Sequence, residues 1–196
     1  MRVMAERGSE RALATRRALL EAARTVFARS GFAEASIADV VAGAGASVGS
    51  LYHHFGGKAD LYLALFEDYQ ARQEERTGTA VRAVRAAGET DRVRLFVTGA
   101  RAYLDGCWVE RDLARVFLAG GGPPGFELVA RRRYRDWTRR NAALLEAGDE
   151  PFGDALTLVL TAVIGEAGAE VAVCDDEPRA RKLADEVLAL ITRIAD

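Results

Sequence analysis

Three ring-bearing side chains and a lysine lie close together in the segment SVGSLYHHFGGKADL, residues 47–61. Tyr52, His53 and His54 are consecutive, and Lys58, one of only two lysines in the chain, follows shortly after them. Phenol, hydroxyl and ammonium groups can donate hydrogen bonds to phosphate oxygens, and small side chains let a backbone approach base edges closely. The segment therefore predicts binding to a nucleic acid.

Two short helices joined by a glycine-containing turn would position these donors. Ser36, with Asp39 three residues later, is typical of a capping box that opens a helix. Gly45 allows a tight turn, and Ser47 is a second N-cap residue that opens another helix of about two turns. This arrangement predicts a helix-turn-helix.

The second helix of such a motif presents its N-terminal side chains to the major groove of DNA. Ser47, Gly49 and Ser50 are small and permit a close approach, and Val48 can contact a thymine methyl group. The backbone amide at Ser36 could bind a phosphate, and Lys58 begins a helix whose amide dipoles attract phosphate as well.

Some side chains of the segment have a structural interpretation. Leu51 and Phe55 are expected in the hydrophobic core, whereas His54 could be either a packed, hydrogen-bonded ring or a DNA contact. No metal site is expected at His53 and His54, because adjacent helical side chains point about 100° apart and the chain has no third histidine.

The segment from Gly31 to Leu61 resembles the DNA-binding segment of the TetR (tetracycline-repressor) family of transcriptional regulators. The resemblance covers roughly residues 15–65. The features that carry it are Phe27 and Gly31 at the end of the first helix, the Ser36–Ile37 start of the second, the turn at residues 45–47, the run Leu51-Tyr52-His53-His54-Phe55, and the spacing Phe55-x-x-Lys58-x-x-Leu61.

The resemblance implies a homodimer that represses transcription and leaves a palindromic operator when a small effector binds. It also implies DNA contacts at Ser36, Ser47, Val48, Gly49, Ser50, Tyr52, His53, His54 and Lys58. Many relatives carry a long polar or basic residue where this chain has Val48, so a guanine contact is not expected there.

The charge distribution agrees with a DNA-binding N-terminal part. Residues 1–58 hold eight basic and five acidic side chains, a net charge of +3, although the whole chain carries −2. A basic end on an acidic body suits a polyanionic partner. We predict a DNA-binding domain at residues 1–58, with disordered first residues, and a ligand-binding and dimerisation domain at residues 59–196.

The predicted fold class is all-α, with an N-terminal three-helix helix-turn-helix domain and a C-terminal helical domain. Good helix formers are abundant, prolines number four, and strand-like alternation is scarce. Beyond the helix-turn-helix, helices are predicted at residues 59–75, 79–87, 90–105, 126–148, 154–173 and 178–195, with a break at Gly88 and a loop at residues 120–125.

The last two predicted helices are apolar on more than one side, so each needs cover from more than one neighbour. Two copies of residues 154–173 and 178–195 could bury these faces in a four-helix dimer interface. Alternatively, both helices lie inside a monomeric core.

The middle of the chain supplies candidate ligand-binding residues. They are Tyr103, Trp108, Phe117, Phe126, Trp137, Glu166 and Glu170. Aromatic rings with a few polar groups can line an apolar pocket, although each ring could equally belong to the core. The two glutamates share one side of a helix, where they could pair with an arginine of residues 130–140 or recognise a cationic ligand.

Other functional classes find little support. The chain lacks HExxH and any usable Cys/His pair, so neither an enzyme nor a cofactor is expected. Cys107 and Cys174 predict free thiols, although a redox pair stays open. The N-terminus has no apolar signal region, and no span of roughly 18 apolar residues predicts a membrane protein, so we expect a cytoplasmic location. The alternative function is a helix-turn-helix protein that coats DNA or binds a protein partner without a ligand.

Overall fold

The computed structural model describes residues 2–118, 120–146 and 153–195, and every regular element within these ranges is an α-helix. The helices are α1 (Arg2–Glu34), α2 (Ile37–Ala44), α3 (Val48–Phe55), α4 (Lys58–Ala86), α5 (Arg92–Val109), α6 (Arg111–Leu118), α7 (Phe126–Leu145), α8 (Gly153–Val173) and α9 (Glu177–Ala195). The all-α prediction is confirmed.

Contacts divide the chain into two compact units. The N-terminal unit comprises Met1–Tyr69 with Gly120–Phe126, and the C-terminal unit comprises Gln70–Ala119 with Glu127–Asp196. The division thus falls within α4, whereas the sequence predicted a boundary between residues 58 and 59. The physical reason is that the first turns of α4 carry large buried side chains that belong to the N-terminal core.

A cluster of aromatic rings forms the centre of the N-terminal unit. Tyr62 of α4 meets the rings of Phe27, Phe32 and Phe126 edge-on, with centroids 5.2, 5.3 and 5.1 Å away. Burial raises the pKa of Tyr62 to about 12. The cluster fixes α1 and the start of α4 relative to each other, which places the two short helices that follow α1.

The end of α1 contains a backbone break at Gly31. This residue has φ 68° and ψ −179°, a combination that is open essentially only to glycine. A Cβ atom there would meet no atom within 4 Å, so the backbone conformation alone requires glycine. The break lies where the sequence predicted the helix end. At the other end, α1 begins at Arg2, whereas the sequence predicted disorder for the first residues.

Helix α5 is central to the C-terminal unit, where it packs against α6, α8 and α9. Gly168 of α8 allows a close approach, because a Cβ there would lie 2.7 Å from the ring of Tyr103 and 3.0 Å from Cys107 Sγ on α5. Helices α6 and α9 also pack on α8. The interior of this unit is therefore built around α5 and α8.

Two helix boundaries differ from the sequence prediction. Residues 79–87 do not form a separate helix but continue α4, which ends before Gly88 (φ 96°) as predicted. Helix α5 continues to Val109, beyond the predicted end at residue 105, and α6 was not predicted. The break between the two helices lies at Glu110, which is 4 % exposed. Arg72 Nε donates a hydrogen bond to Glu110 Oε1 over 2.7 Å, and Arg76 pairs with Oε2. These ion pairs attach α4 to the α5–α6 junction.

Helix α8 is the one described helix that is long and apolar enough, by length and composition, to cross a membrane. The sequence analysis had found no such span. Because α8 packs against α5, α6 and α9, we interpret it as a core helix of the C-terminal unit.

Candidate nucleic-acid interface

The geometry of the α2–turn–α3 segment follows from its caps. Ser36 Oγ accepts a hydrogen bond from the Asp39 amide over 3.2 Å, and Ser47 Oγ accepts one from the Ser50 amide over 3.1 Å. Between the two helices, Gly45 adopts a left-handed conformation with φ 59°. The predicted caps and turn are confirmed, and the segment has the helix-turn-helix layout.

Helix α3 has one buried and one exposed face. Leu51 and Phe55, four residues apart, are buried as predicted. The opposite face is formed by Val48, Gly49, Tyr52 and His53, all of them exposed. Residues four positions apart on a helix lie one above another, which places Val48 beside Tyr52 and Gly49 beside His53. Val48 is 49 % and Tyr52 is 51 % exposed, so both side chains are accessible to a partner.

The other predicted DNA contacts surround this face. Ser47 is exposed at the N-terminus of α3, whereas Ser36, Ser50 and His54 are half-buried. The rings of His53 and His54 lie edge to face with centroids 5.3 Å apart. The structure thus brings the predicted residues of α3 together at one end of the N-terminal unit.

Lys58 has a local role that the sequence did not predict. Its ammonium group donates hydrogen bonds to the carbonyl oxygens of Phe32, Ala33 and Ala35 over 2.9, 3.1 and 3.0 Å, and it lies 4.6 Å from the centre of the Phe32 ring. All three of its N–H donors are therefore directed at the carbonyl end of α1. A phosphate contact by Lys58 stays a prediction and would require the ammonium group to give up one of these acceptors.

Arg16 was missed by the sequence analysis. Its guanidinium carbon lies 5.1 Å from the centre of the Phe55 ring, the distance of a cation–π interaction. The side chain is exposed on α1 beside the end of α3. The available signal was the Arg16-Arg17 pair, one of the basic clusters in a net positive segment, but the sequence could not show which of the two faces α3.

Comparisons with known proteins agree with this geometry. A family model described as "Bacterial regulatory proteins, tetR family" matches residues 19–65, from the buried part of α1 through α2 and α3 into α4. The HTH-type transcriptional repressor AcnR of Corynebacterium glutamicum is 39 % identical over 61 residues, which are 31 % of this chain and 32 % of AcnR. The HTH-type transcriptional regulator TtgR of Pseudomonas putida is 37 % identical over 78 residues, 37 % of each chain.

Solved structures extend the similarity beyond this segment. A TetR-family transcriptional regulator from Pectobacterium atrosepticum superimposes with a TM-score of 0.62 at 27 % identity, covering 94 % of both chains. The chain belongs to the TetR family. A TetR-like transcriptional regulator from Rhodococcus shares the fold, with a TM-score of 0.73 at 21 % identity over 91 % of this chain and 94 % of that one. The chain matches only about a third of the length of the curated relatives.

In this TetR-family chain, the predicted ligand-binding aromatics lie in different places. Tyr103 and Trp137 meet edge-on with centroids 5.8 Å apart in the C-terminal unit, where Phe117 is also buried. Trp108 is half-buried beneath Arg111 and lines a surface groove of about 520 Å³ between α5 and α9. Phe126 belongs to the N-terminal unit. The five rings are therefore divided between the two units.

Glu166 and Glu170 lie on the exposed face of α8. Neither forms an ion pair with any residue of the described ranges. They share this face with exposed Val159 and Val163. Both proposed partners of these glutamates, an arginine or a cationic ligand, therefore stay predictions.

Two glutamines of α4 were missed. Gln70 Oε1 accepts a hydrogen bond from Trp137 Nε1 over 3.3 Å, and Gln73 is completely buried. The available signal was the stripe of buried residues Tyr62, Phe66 and Tyr69, in which Gln73 occupies the next position. A polar residue at a core position must have its amide enclosed by other side chains or backbone, but the sequence does not reveal which residues enclose it.

Proposed function

We propose that this TetR-family protein is a homodimeric DNA-binding repressor that a small effector releases from a palindromic operator. It would act in the cytoplasm, where the operator DNA is, and it performs no catalytic step and needs no cofactor. Because the curated relatives match over a third of their length, their names support the DNA-binding part of this proposal more than the rest.

The exposed face of α3 is the observation that carries the proposal. Val48, Gly49, Tyr52 and His53 are exposed on one side of α3, whereas Leu51 and Phe55 on the other side anchor the helix in its own unit. A helix end with small residues, a hydroxyl cap and a phenol suits the major groove and its flanking phosphates. His53 and Tyr52 would flank the base edges that Val48 and Gly49 approach.

Exposed apolar side chains on α8 and α9 support the dimer. Leu158, Val159 and Val163 are 54, 49 and 39 % exposed on α8, and Leu190 and Ile194 are 50 and 57 % exposed on α9. The opposite face of α9 packs inward through other residues, so its exposed stripe has no partner within the described chain. Burying both stripes against a second copy would give the four-helix interface of an isologous dimer.

A dimer explains how an effector could act on DNA. Two α3 helices must lie about one turn of DNA apart to bind two half-sites on the same face. An effector that binds more tightly to a dimer with the wrong separation lowers the affinity for DNA by the coupling free energy, on the order of 1–3 kcal/mol.

Selection of binding sites from random duplex DNA by the pure protein tests this function. We expect an inverted repeat from the wild type and no enrichment from Tyr52→Ala. The matched control is Tyr134→Ala, which removes another exposed tyrosine, on α7 in the C-terminal unit, and is expected to select the same repeat.

Other outcomes would assign a different function. Equal enrichment by Tyr52→Ala would exclude the α3 face as the DNA-binding surface. Binding without sequence preference would favour the DNA-coating alternative, and no DNA binding at all would favour a protein partner. A single, unrepeated half-site would contradict the dimer.

A further inference from the structure

Arg16 of α1 presents unused hydrogen-bond donors beside helix α3. Its side chain is exposed, and its guanidinium carbon lies 5.1 Å from the centre of the Phe55 ring. A ring face attracts the positive charge but offers no oxygen acceptor to the five N–H donors of a guanidinium. In the described part of the chain, Arg16 forms neither an ion pair nor a hydrogen bond. The structure thus orients this cation without neutralising it.

Two other cations of the N-terminal unit are already engaged. Lys58 directs its ammonium donors at three carbonyl oxygens at the end of α1. Arg29 Nη2 lies 3.5 Å from Asp39 Oδ2 on α2. A phosphate that approaches α3 would have to displace these acceptors to bind either cation, whereas Arg16 can bind it without losing a hydrogen bond.

The length of α3 places Arg16 near the edge of a DNA groove. The helix has eight residues, which makes it about 12 Å long, and the major groove is also about 12 Å wide. A recognition helix presents its N-terminal residues, here Val48 and Gly49, to the base edges. Its last turn, which contains Phe55, then lies about one groove width away, beside the phosphates that border the groove. Arg16 is held against this last turn by the Phe55 ring.

From these observations we propose that Arg16 binds a phosphate of the DNA backbone and supplies the contact that the sequence predicted for Lys58. Two parallel N–H donors of a guanidinium match two phosphate oxygens, and the Phe55 ring holds the group in place. A phosphate contact carries no sequence information, so Arg16 fixes the position of α3 on the duplex and does not select bases. The inference rests on the proposed function, because it adds a contact to the interface of that DNA-binding protein.

DNA titrations of the full chain between about 50 and 200 mM salt test this contact. They use the selected inverted repeat and an unrelated duplex of equal length. We expect Arg16→Gln to weaken binding to both duplexes about 10-fold. The slope of log affinity against log salt concentration should become smaller by about 1 per protomer.

Arg17→Gln is the matched control for this substitution. It removes the same charge from the neighbouring position, whose side chain points about 100° away on the helix. Arg17 is exposed as well. We expect the control to keep the wild-type salt slope on both duplexes.

Two further measurements distinguish a phosphate contact from a structural role. Arg16→Lys keeps the charge but loses the paired donors, so we expect it to keep the salt slope and to recover only part of the affinity. Arg16→Gln should change Tm by less than about 4 °C, because an exposed cation–π contact contributes little to stability.

Neutral methylphosphonates in the selected operator locate the contacted phosphate. Each substitution removes the charge of one phosphate per half-site. At one position we expect the substitution to weaken binding of the wild type but not of Arg16→Gln, because the variant has already lost that contact.

The proposal would be overturned by a wild-type salt slope in Arg16→Gln, by an equal loss in Arg17→Gln, or by an effect confined to the inverted repeat. It would also be overturned if every methylphosphonate affected the wild type and Arg16→Gln equally. An inverted repeat selected by a protein whose Arg16→Gln slope is unchanged would refute this contact and leave the proposed repressor standing. Without a selected repeat, a smaller slope on the unrelated duplex would support the contact alone, and a chain that binds no duplex would refute both.

Discussion

Lys58 shows how far a residue's type predicts its role. Its position in the motif predicted a phosphate contact, yet its three donors bind carbonyl oxygens at the end of α1. The sequence could not reveal these acceptors, because they depend on the break at Gly31 that turns the end of α1 towards α4. Leu51 and Phe55 were predicted correctly, since helical spacing alone assigns them to the core.

We expect Lys58→Met to lower the free energy of unfolding by about 2 kcal/mol, because it removes charge-assisted hydrogen bonds. We also expect operator affinity to fall while the dependence of that affinity on salt concentration stays the same. Chemical denaturation and DNA titrations at several salt concentrations measure the two quantities. An unchanged stability with a salt slope smaller by about 1 per protomer would instead identify a phosphate contact.

The pKa of Tyr62 predicts a loss of stability at alkaline pH. Burial raises the pKa to about 12 from the ordinary value of 10.0, so the unfolded chain loses the phenolic proton first. The stability that this group contributes is fully present below pH 10 and is lost as pH rises towards 12. Denaturation across this range should show a smaller decline for Tyr62→Phe than for the wild type. Equal declines would contradict the prediction.

At the scale of helices, caps and turns were predictable but some boundaries were not. Ser36, Gly45 and Ser47 act locally, so their residue types were sufficient to place α2 and α3. The end of α5 and the whole of α6 were missed, and between them Glu110 pairs with arginines more than thirty residues away in the sequence. Long-range pairing of this kind leaves no periodic signal.

The ion pairs of Glu110 should matter for stability. Glu110→Gln leaves two arginines of α4 without their buried counter-ion, and we expect the free energy of unfolding to fall by about 3 kcal/mol. The matched control is Glu75→Gln, whose exposed pair with Arg82 should change stability by less than about 1 kcal/mol. Urea denaturation measures the free energy of unfolding of both variants. Equal losses would contradict the prediction that the buried ion pairs of Glu110 contribute more to stability than the exposed pair of Glu75.

At the scale of the whole molecule, the sequence predicted two functional parts and an apolar pair of terminal helices. It did not place the division within α4, because the burial of Leu61, Tyr62 and Leu65 in the N-terminal core depends on the tertiary packing of α1. The exposed stripes of α8 and α9 similarly required the fold, since periodicity identifies apolar faces but not which of them remains open to a second copy.

Leu190→Asp should convert the proposed dimer into a monomer, because a charge in an apolar interface has no counter-ion. The matched control is Leu128→Asp on α7, where the wild-type leucine is 73 % exposed. Light scattering during size-exclusion chromatography should give the mass of one chain for Leu190→Asp and of two chains for the control. A dimeric Leu190→Asp variant would exclude the α9 stripe from the interface.

The backbone break at Gly31 has a consequence for the handedness of the residue placed there. Its φ of 68° and ψ of −179° lie in the mirror image of the extended region that L-residues favour. An L-alanine would be strained, but a D-alanine, introduced by chemical ligation, would find its preferred conformation in open space. Because a D-residue also restricts the unfolded chain more than glycine does, D-alanine at this single position would stabilise the end of α1 that precedes α2 and α3.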